Sequence, residues 1–316
     1  MSYLSIEDYQ KLRGMRFAPR KPPRGQHIGL HDSPVQGFNV EFSEYRAYNP
    51  GDDVKRLDWK VFGRTNRLMV KRHEHQTSLK VTFLIDASPS MMYKGAEKQP
   101  LGFRRLSKVP PPLTQRAQPS KFDHACRMAL ALGFVLLQQK DRVAFGVMRD
   151  GLQSLSGFRS SFRHLVDVDR TLQQASNGPA VAAGIPEALE TFQHRVSRRS
   201  LVYVFSDFLE RERDVMQQAR ILRSRGDEVG FFHVLHEDEL SLPDHGPVLL
   251  RDSETGATLP LTDASKRRRY QQNLTDYLDG FKASCKREGV DYQLVSTATP
   301  SHEAIQHYVT GRVALR

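Results

Sequence analysis

From Leu79 onward the chain alternates short, solid apolar runs with longer amphipathic stretches. Val81-Thr82-Phe83-Leu84-Ile85 is a run of the kind that forms a strand buried on both faces. Phe122 to Gln139 carries apolar residues at 122, 125, 126, 129, 130, 132, 136 and 137, the spacing of a helix. Arg142–Met148 reads as the next strand, 160–175 and 185–196 as helices, and Leu201–Phe205 as another solid apolar strand. A helix over Arg213–Arg225 stops at Gly226, and Glu228–His236 repeats the strand signal. A long helix over 264–288, a strand at Asp291–Thr297 and a closing helix from His302 complete the pattern. Such alternation predicts an α/β fold, a mostly parallel sheet with helices on both faces, over residues 79–316.

Three segments depart from that rhythm. Residues 1–36 are rich in Pro, Arg and Gly and read as a basic arm with one short helix near its start. Residues 37–78 show short alternating runs and a turn at Asn49-Pro50-Gly51-Asp52, the signals of a small β-rich element. Within the large domain, 247–262 reads as an inserted hairpin around Asp252-Ser253-Glu254-Thr255-Gly256. Residues 93–120 hold Pro110-Pro111-Pro112 without periodicity and read as a long loop.

Composition narrows the class. Apolar residues make up 39% and charged residues 26%, a globular balance. The longest apolar run, Met128–Leu137, is about half of what a membrane-spanning helix needs. The first eight residues include Glu7 and Asp8 and no apolar segment, so no secretory signal is expected. Two cysteines, Cys126 and Cys285, lie in separate helical stretches and fit two buried thiols in a reducing, cytoplasmic compartment. The net charge of +11 raises nucleic acid as a partner. Much of the excess lies in 1–36 and 94–121, where aromatic residues do not alternate with the basic ones. A basic surface serving solubility or an acidic partner fits that distribution better.

The candidate chemistry sits where the first buried strand ends. Asp86-Ala87-Ser88-Pro89-Ser90 follows it directly, and ligands of open α/β sheets bind at that end. Oxygens at i, i+2 and i+4 converge if the chain turns, which Pro89 favours. One carboxylate and two hydroxyls form a hard, weakly charged site suited to Mg²⁺ or Mn²⁺, with a position left for an outside carboxylate. Ser206-Asp207 ends a second buried strand and brings Asp207 to the same rim. The plainer reading is that Asp and Ser after a strand are ordinary turn and cap residues.

Asp86–Ser90 resembles the metal-ion-dependent adhesion site of von Willebrand factor A domains. The block from Glu41 to Lys60, with Arg46, Gly51, Asp52, Asp53, Asp58 and Trp59, followed by Arg64-Thr65, is similar to the signature of the bacterial "domain of unknown function 58" family. The likeness continues through Ser120-Lys121-Phe122, Ser206-Asp207-Phe208, Asp252–Gly256 and Thr310-Gly311-Arg312. This resemblance implies a von Willebrand factor A-like, Rossmann-like domain that acts as an adaptor or chaperone-like partner of a MoxR-type AAA+ ATPase or of its client. It implies metal positions at Asp86, Ser88, Ser90 and Asp207. The threonine that A domains usually add is missing from Ala175-Ser176-Asn177-Gly178-Pro179, where Ser176, Asn177 or a water stands as the substitute.

Other readings compete. Asp52, Asp53, Asp58, Arg46, Arg56 and Arg64 lack an accompanying nucleophile or histidine. They fit carboxylate–guanidinium pairs fixing the small β element, with Trp59 as the plug beneath them. His73 and His75 alternate on one strand face, as two solvent-facing histidines or as a metal pair. The alternatives to a non-enzymatic binding module are a phosphohydrolase using Asp86 as nucleophile and nucleic-acid binding through the basic arm and loop. The first wants a carboxylate at position 88, where serine stands. No Walker-type phosphate loop occurs.

Overall fold

The computed structural model describes residues 2–3, 5–19, 28–33, 41–49, 57–95, 119–178, 181–209, 211–242, 248–251, 253, 256–261 and 263–314. Helix α1 (Ile6–Leu12) starts at Ser5, whose hydroxyl accepts from the Asp8 amide. Strands β1 (Ile28–Ser33), β2 (Glu41–Ala47) and β3 (Met69–Thr77) form an antiparallel sheet in the order β1-β3-β2. Between the last two lies helix α2 (Trp59–Thr65), capped by Asp58, whose carboxylate accepts from the Lys60 and Val61 amides.

The large domain follows at once with β4 (Lys80–Asp86), α3 (Lys121–Gln138), β5 (Arg142–Met148), β6 (Leu152–Leu155), α4 (Arg163–Ala175), α5 (Ile185–Arg195) and β7 (Leu201–Ser206). It continues with α6 (Glu212–Ser224), β8 (Glu228–Leu235), the short α7 (Glu237–Leu240), the hairpin β9 (Val248–Arg251) and β10 (Thr258–Leu261), α8 (Ala264–Glu288), β11 (Asp291–Ser296) and α9 (Ser301–Ala314). The main sheet runs β11-β8-β7-β4-β5-β6. All neighbours are parallel except β6, which turns back through Asp150 and Gly151, both at positive φ, to pair antiparallel with β5. This is the doubly wound α/β order, and its strand order reverses between β4 and β7, the place where ligands of such sheets bind at the carboxyl ends.

Strand alternation divides the core in two. Val81, Phe83, Ile85, Tyr203 and Phe205 face α3, α4 and α9; Leu84, Val202, Val204 and Phe231 face α5, α6 and α8. Among the described residues no helix is long and apolar enough to cross a membrane.

The N-terminal segment is not a free arm over its described part. Tyr3, Leu12 and Phe17 are buried in the first core layer, and Phe17 exchanges backbone hydrogen bonds with the Gln139 amide at 2.6 and 3.1 Å. Three apolar anchors spaced among polar and basic residues are enough to dock the segment, and composition hid them. Residues 28–33, also read as arm, supply β1. Trp59 is not a plug: it is 60% exposed as the first residue of α2, edge-on to Phe62 at 6.1 Å. Arg46 falls in β2, and His73 and His75 in β3. Gly51, Asp52, Asp53, Arg56 and residues 96–118 of the long loop lie outside the described residues.

The end of the sheet remote from the crevice is clamped by Arg312. Its Nη1 donates to Asp291 (2.7 Å), Tyr308 (2.6 Å) and Tyr203 (2.9 Å); its Nη2 pairs with Glu228 and its Nε donates to the Ala18 carbonyl. The guanidinium also stacks over Phe17, 4.7 Å from the ring centroid. One buried cation therefore joins the starts of β8 and β11, α9 and the N-terminal segment. Arg312→Ala leaves two carboxylates without it, so urea unfolding should show a loss of about 3–5 kcal/mol; a loss below about 1 kcal/mol would contradict the clamp.

Candidate metal centre

β4 delivers Asp86 to the crevice between parallel neighbours, with Asp86 beside Met148 of β5 and Ile85 beside Phe205 of β7. The chain then turns sharply. The Ala87 amide donates to the Met148 carbonyl, and the Ser88 amide donates to Asp86 Oδ1 at 2.7 Å. Pro89, at φ −57°, leads into one 3₁₀ turn over Ser90–Met92. That turn brings the Ser88 and Ser90 hydroxyls to 3.0 Å of each other. The three oxygen-bearing side chains expected to converge are thus on one short loop, with the two hydroxyls in contact.

The second strand contributes differently from expectation. Ser206 Oγ donates to Asp86 Oδ2 at 2.6 Å and accepts from the Phe208 amide. Asp207 does not reach toward the serines with a bare carboxylate: its Oδ2 carries Lys121 Nζ at 2.8 Å. The same ammonium holds Glu239 Oε1 of α7 at 2.7 Å and is 0% exposed. Burial would lower the Lys121 pKa, but Asp207 and Glu239 outweigh it and raise the value, so Lys121 is a fixed cation. His233, fully buried and 5.5 Å from Phe208, is held neutral: burial pushes it down to about 4, and Asp207 only partly offsets this.

A second cation borders the loop. Arg149 Nη2 donates to the carbonyls of Ala175 (2.7 Å) and Ala87 (3.3 Å). The segment after α4, expected to replace the missing threonine, closes over this guanidinium. Ser176 Oγ and Asn177 Nδ2 both turn back to the Gln173 carbonyl, at 2.8 and 3.4 Å, as helix-end caps. Neither is aimed at the serines. Gly178 allows the closure, since a Cβ there would lie 1.7 Å from Arg149 Nη1.

Asp86 is the electrostatic focus. It is buried and forms no ion pair among the described residues; the Arg149 guanidinium attracts it without pairing with it. Burial first, and then the charge of Asp207, push its carboxyl well above the usual range, to about 7, against the donors Ser206 and Ser88. An unpaired buried carboxylate beside two touching hydroxyls fits a hard divalent cation. Asp86, Ser88 and Ser90 would hold it, with Asp207 engaged by Lys121. Among the described residues no group of three or more His, Cys, Asp and Glu could hold a metal. Any ion at the rim would therefore draw on hydroxyl oxygen, which favours Mg²⁺ or Mn²⁺ over zinc.

The sequence places Ser206 at the rim without its bond to Asp86, and it does not single out Lys121, Arg149 or Glu239 as rim residues. Lys121 stands in the Ser120-Lys121-Phe122 stretch that carries the family likeness, but its charge role depends on Asp207 and Glu239, which lie far away in sequence; it is the first residue of α3, which Ser120 caps with Asp123.

A family model described as "Protein of unknown function DUF58" matches residues 44–101 and 113–277, more than half of the chain. Uncharacterized proteins of Mycobacterium tuberculosis and Mycobacterium bovis are 27% identical over 233 residues, which is 73% of this chain. The chain spans 65% of the length of those curated relatives. Similar solved structures include the conserved hypothetical protein BatB from Bacteroides thetaiotaomicron, 16% identical with a TM-score of 0.47 over 75% of this chain and 100% of that one. An aerotolerance-related membrane protein from Bacteroides fragilis is also 16% identical, with a TM-score of 0.44 over 74% of this chain and 100% of its own. The SpRpn10 VWA domain is 9% identical, with a TM-score of 0.39 over 73% of this chain and 95% of its own.

The raised Asp86 pKa fixes a pH dependence. A carboxyl ordinarily at 3.8 and raised to about 7 keeps its proton in the folded chain where the unfolded chain has lost it. Its contribution to stability is full below the unfolded value and is lost as pH rises through about 7. Without divalent ions, Asp86→Asn should melt higher than the parent at pH 8, with the gap clearly narrower at pH 5 and closing only toward pH 4. Parallel melting curves at both pH values would contradict the assignment.

Proposed function

The chain belongs to the DUF58 family of proteins of unknown function, and from that premise we propose that it is a non-enzymatic protein-binding module whose recognition site is the crevice rim at Asp86. Asp86, Ser88 and Ser90 hold Mg²⁺ or Mn²⁺ there. The ion supplies a Lewis-acidic position for a carboxylate presented by the partner. The observation that carries this reading is the pairing of an uncompensated buried carboxylate with two hydroxyls 3.0 Å apart at the switch point of the sheet.

The surroundings suit a protein ligand. Leu209 beside the rim is 57% exposed, and Val181 is 40% exposed. A cleft of about 430 Å³ is lined by Asp150, Gly151, Ala182, Gly184, Glu187 and Arg211. Exposed apolar groups among charged ones are what a partner surface covers. The partner class we propose, which the family resemblance implies, is a MoxR-type AAA+ ATPase or its client. Cys126 and Cys285, both free and buried, agree with action in a reducing cytoplasm.

Catalysis by Asp86 is the weaker reading. Both of its oxygens already accept hydrogen bonds, from the Ser88 amide and the Ser206 hydroxyl, and position 88 offers no carboxylate as general acid. For nucleic acid, the basic residues 104–116 lie outside the described residues, whereas Lys11, Arg13 and Arg16 belong to the docked N-terminal segment.

The purified chain, mixed with the MoxR-type ATPase of the same genome, should form a complex in Mg²⁺ by calorimetry. Chelator, Asp86→Ala or the pair Ser88→Ala with Ser90→Ala should weaken it at least tenfold. A complex indifferent to all three would overturn metal-dependent recognition.

A further inference from the structure

Lys121 is a lysine with no exposure at all, placed at the start of α3 and shared between two carboxylates from different elements. Burying an ammonium is costly, and a helix start needs no lysine; acidic residues are favoured there. The position is nonetheless built with care. The Lys121 amide donates to the Tyr93 carbonyl, 3.1 Å away, just past the 3₁₀ turn that carries Ser90. The Tyr93 hydroxyl donates to Asp238 of α7, and the next residue, Glu239, both accepts from Lys121 and caps the His236 amide at 2.6 Å. The serine loop, the start of α3, the end of β7 and α7 are thereby closed into one polar ring around this ammonium.

We propose that Lys121 serves as a tethered cation that takes Asp207 out of the metal site and so makes ion binding depend on an incoming carboxylate. The inference rests on the metal reading given above and deepens it. With Lys121 on Asp207, Asp86 is the carboxylate at the serine loop that has no ion pair among the described residues, although it feels the Arg149 charge, and a divalent ion there carries one positive charge more than its protein ligands cancel. Retention of the ion by the chain alone is weakened, and the excess charge favours an outside carboxylate. Without Lys121, Asp207 would supply the missing charge from within, the ion would be held tightly and its pull on an acidic partner would fall. Lys121 thus sets a trade between affinity for the ion and demand for the ligand.

The test is a titration of the full chain with Mn²⁺ at pH 7.5, following calorimetric heat and the Mn²⁺ spin-resonance signal. Lys121→Met removes both the charge and the hydrogen bonds; Lys121→Gln removes the charge and keeps a donor for Asp207. Both should bind Mn²⁺ at least tenfold more tightly than the parent. Asp207→Asn should change the parent less than threefold yet erase the gain in either Lys121 background, a coupling only direct competition produces. Should the Lys121 variants melt below the working temperature without metal, recovery of folding by Mn²⁺ supports the proposal, and failure to recover overturns it. Equal Mn²⁺ affinity in the parent and the Lys121 variants defeats the inference while leaving the metal reading intact. Absence of binding in every chain defeats both.

Discussion

A carboxylate brought to the end of a strand buried on both faces cannot reach water, and something must answer its charge. That constraint governs the rim of this protein. β4 is central in the sheet, so Asp86 arrives with β5 and β7 on either side and with only a short loop above it. The chain meets the demand halfway: an amide from Ser88 and a hydroxyl from Ser206 donate to it, but no cation pairs with it among the described residues. Hydrogen bonds of this kind lessen the cost of burial without abolishing it, and the raised Asp86 pKa records the remainder. Proteins retain such unrelieved charge where function requires it.

The opposite end of the sheet shows what full compensation looks like. Glu228 and Asp291 at the starts of β8 and β11 share Arg312, whose remaining donors go to two tyrosine hydroxyls and a backbone carbonyl. That cluster holds together the sheet, the last helix and the N-terminal segment. The molecule thus has an ionic clamp at one end and, at the other, a carboxylate that is hydrogen-bonded but has no ion pair among the described residues. Lys121 lies between these extremes, satisfying Asp207 and leaving Asp86 alone.

Much of this was legible in the residues. The solid apolar runs give β4, β5, β7 and β8 within a residue or two, the hairpin around Ser253 matches β9 and β10, and the long helix expected over about 264–288 is α8. The short β6 was missed because a four-residue strand on an edge carries little pattern. The N-terminal segment was misread because three buried apolar residues among Arg and Pro do not form a period. Trp59 departs from the expected plug because it opens α2 and faces outward. At the rim, local spacing exposed Asp86, Ser88 and Ser90, but which cation answers which carboxylate depends on residues more than a hundred positions apart, as Lys121 with Glu239 shows. Ser176 and Asn177 failed as substitutes for a similar reason, since the helix end and Arg149 claimed that loop first.

Anomalous scattering from crystals grown with Mn²⁺ addresses the central claim most directly. A peak about 2.1 Å from the Ser88 and Ser90 hydroxyls and within ligand range of Asp86, with Lys121 still on Asp207, is the expected result. A peak elsewhere, or a Ser88–Ser90 loop with no anomalous density at millimolar Mn²⁺, would contradict a metal-dependent rim.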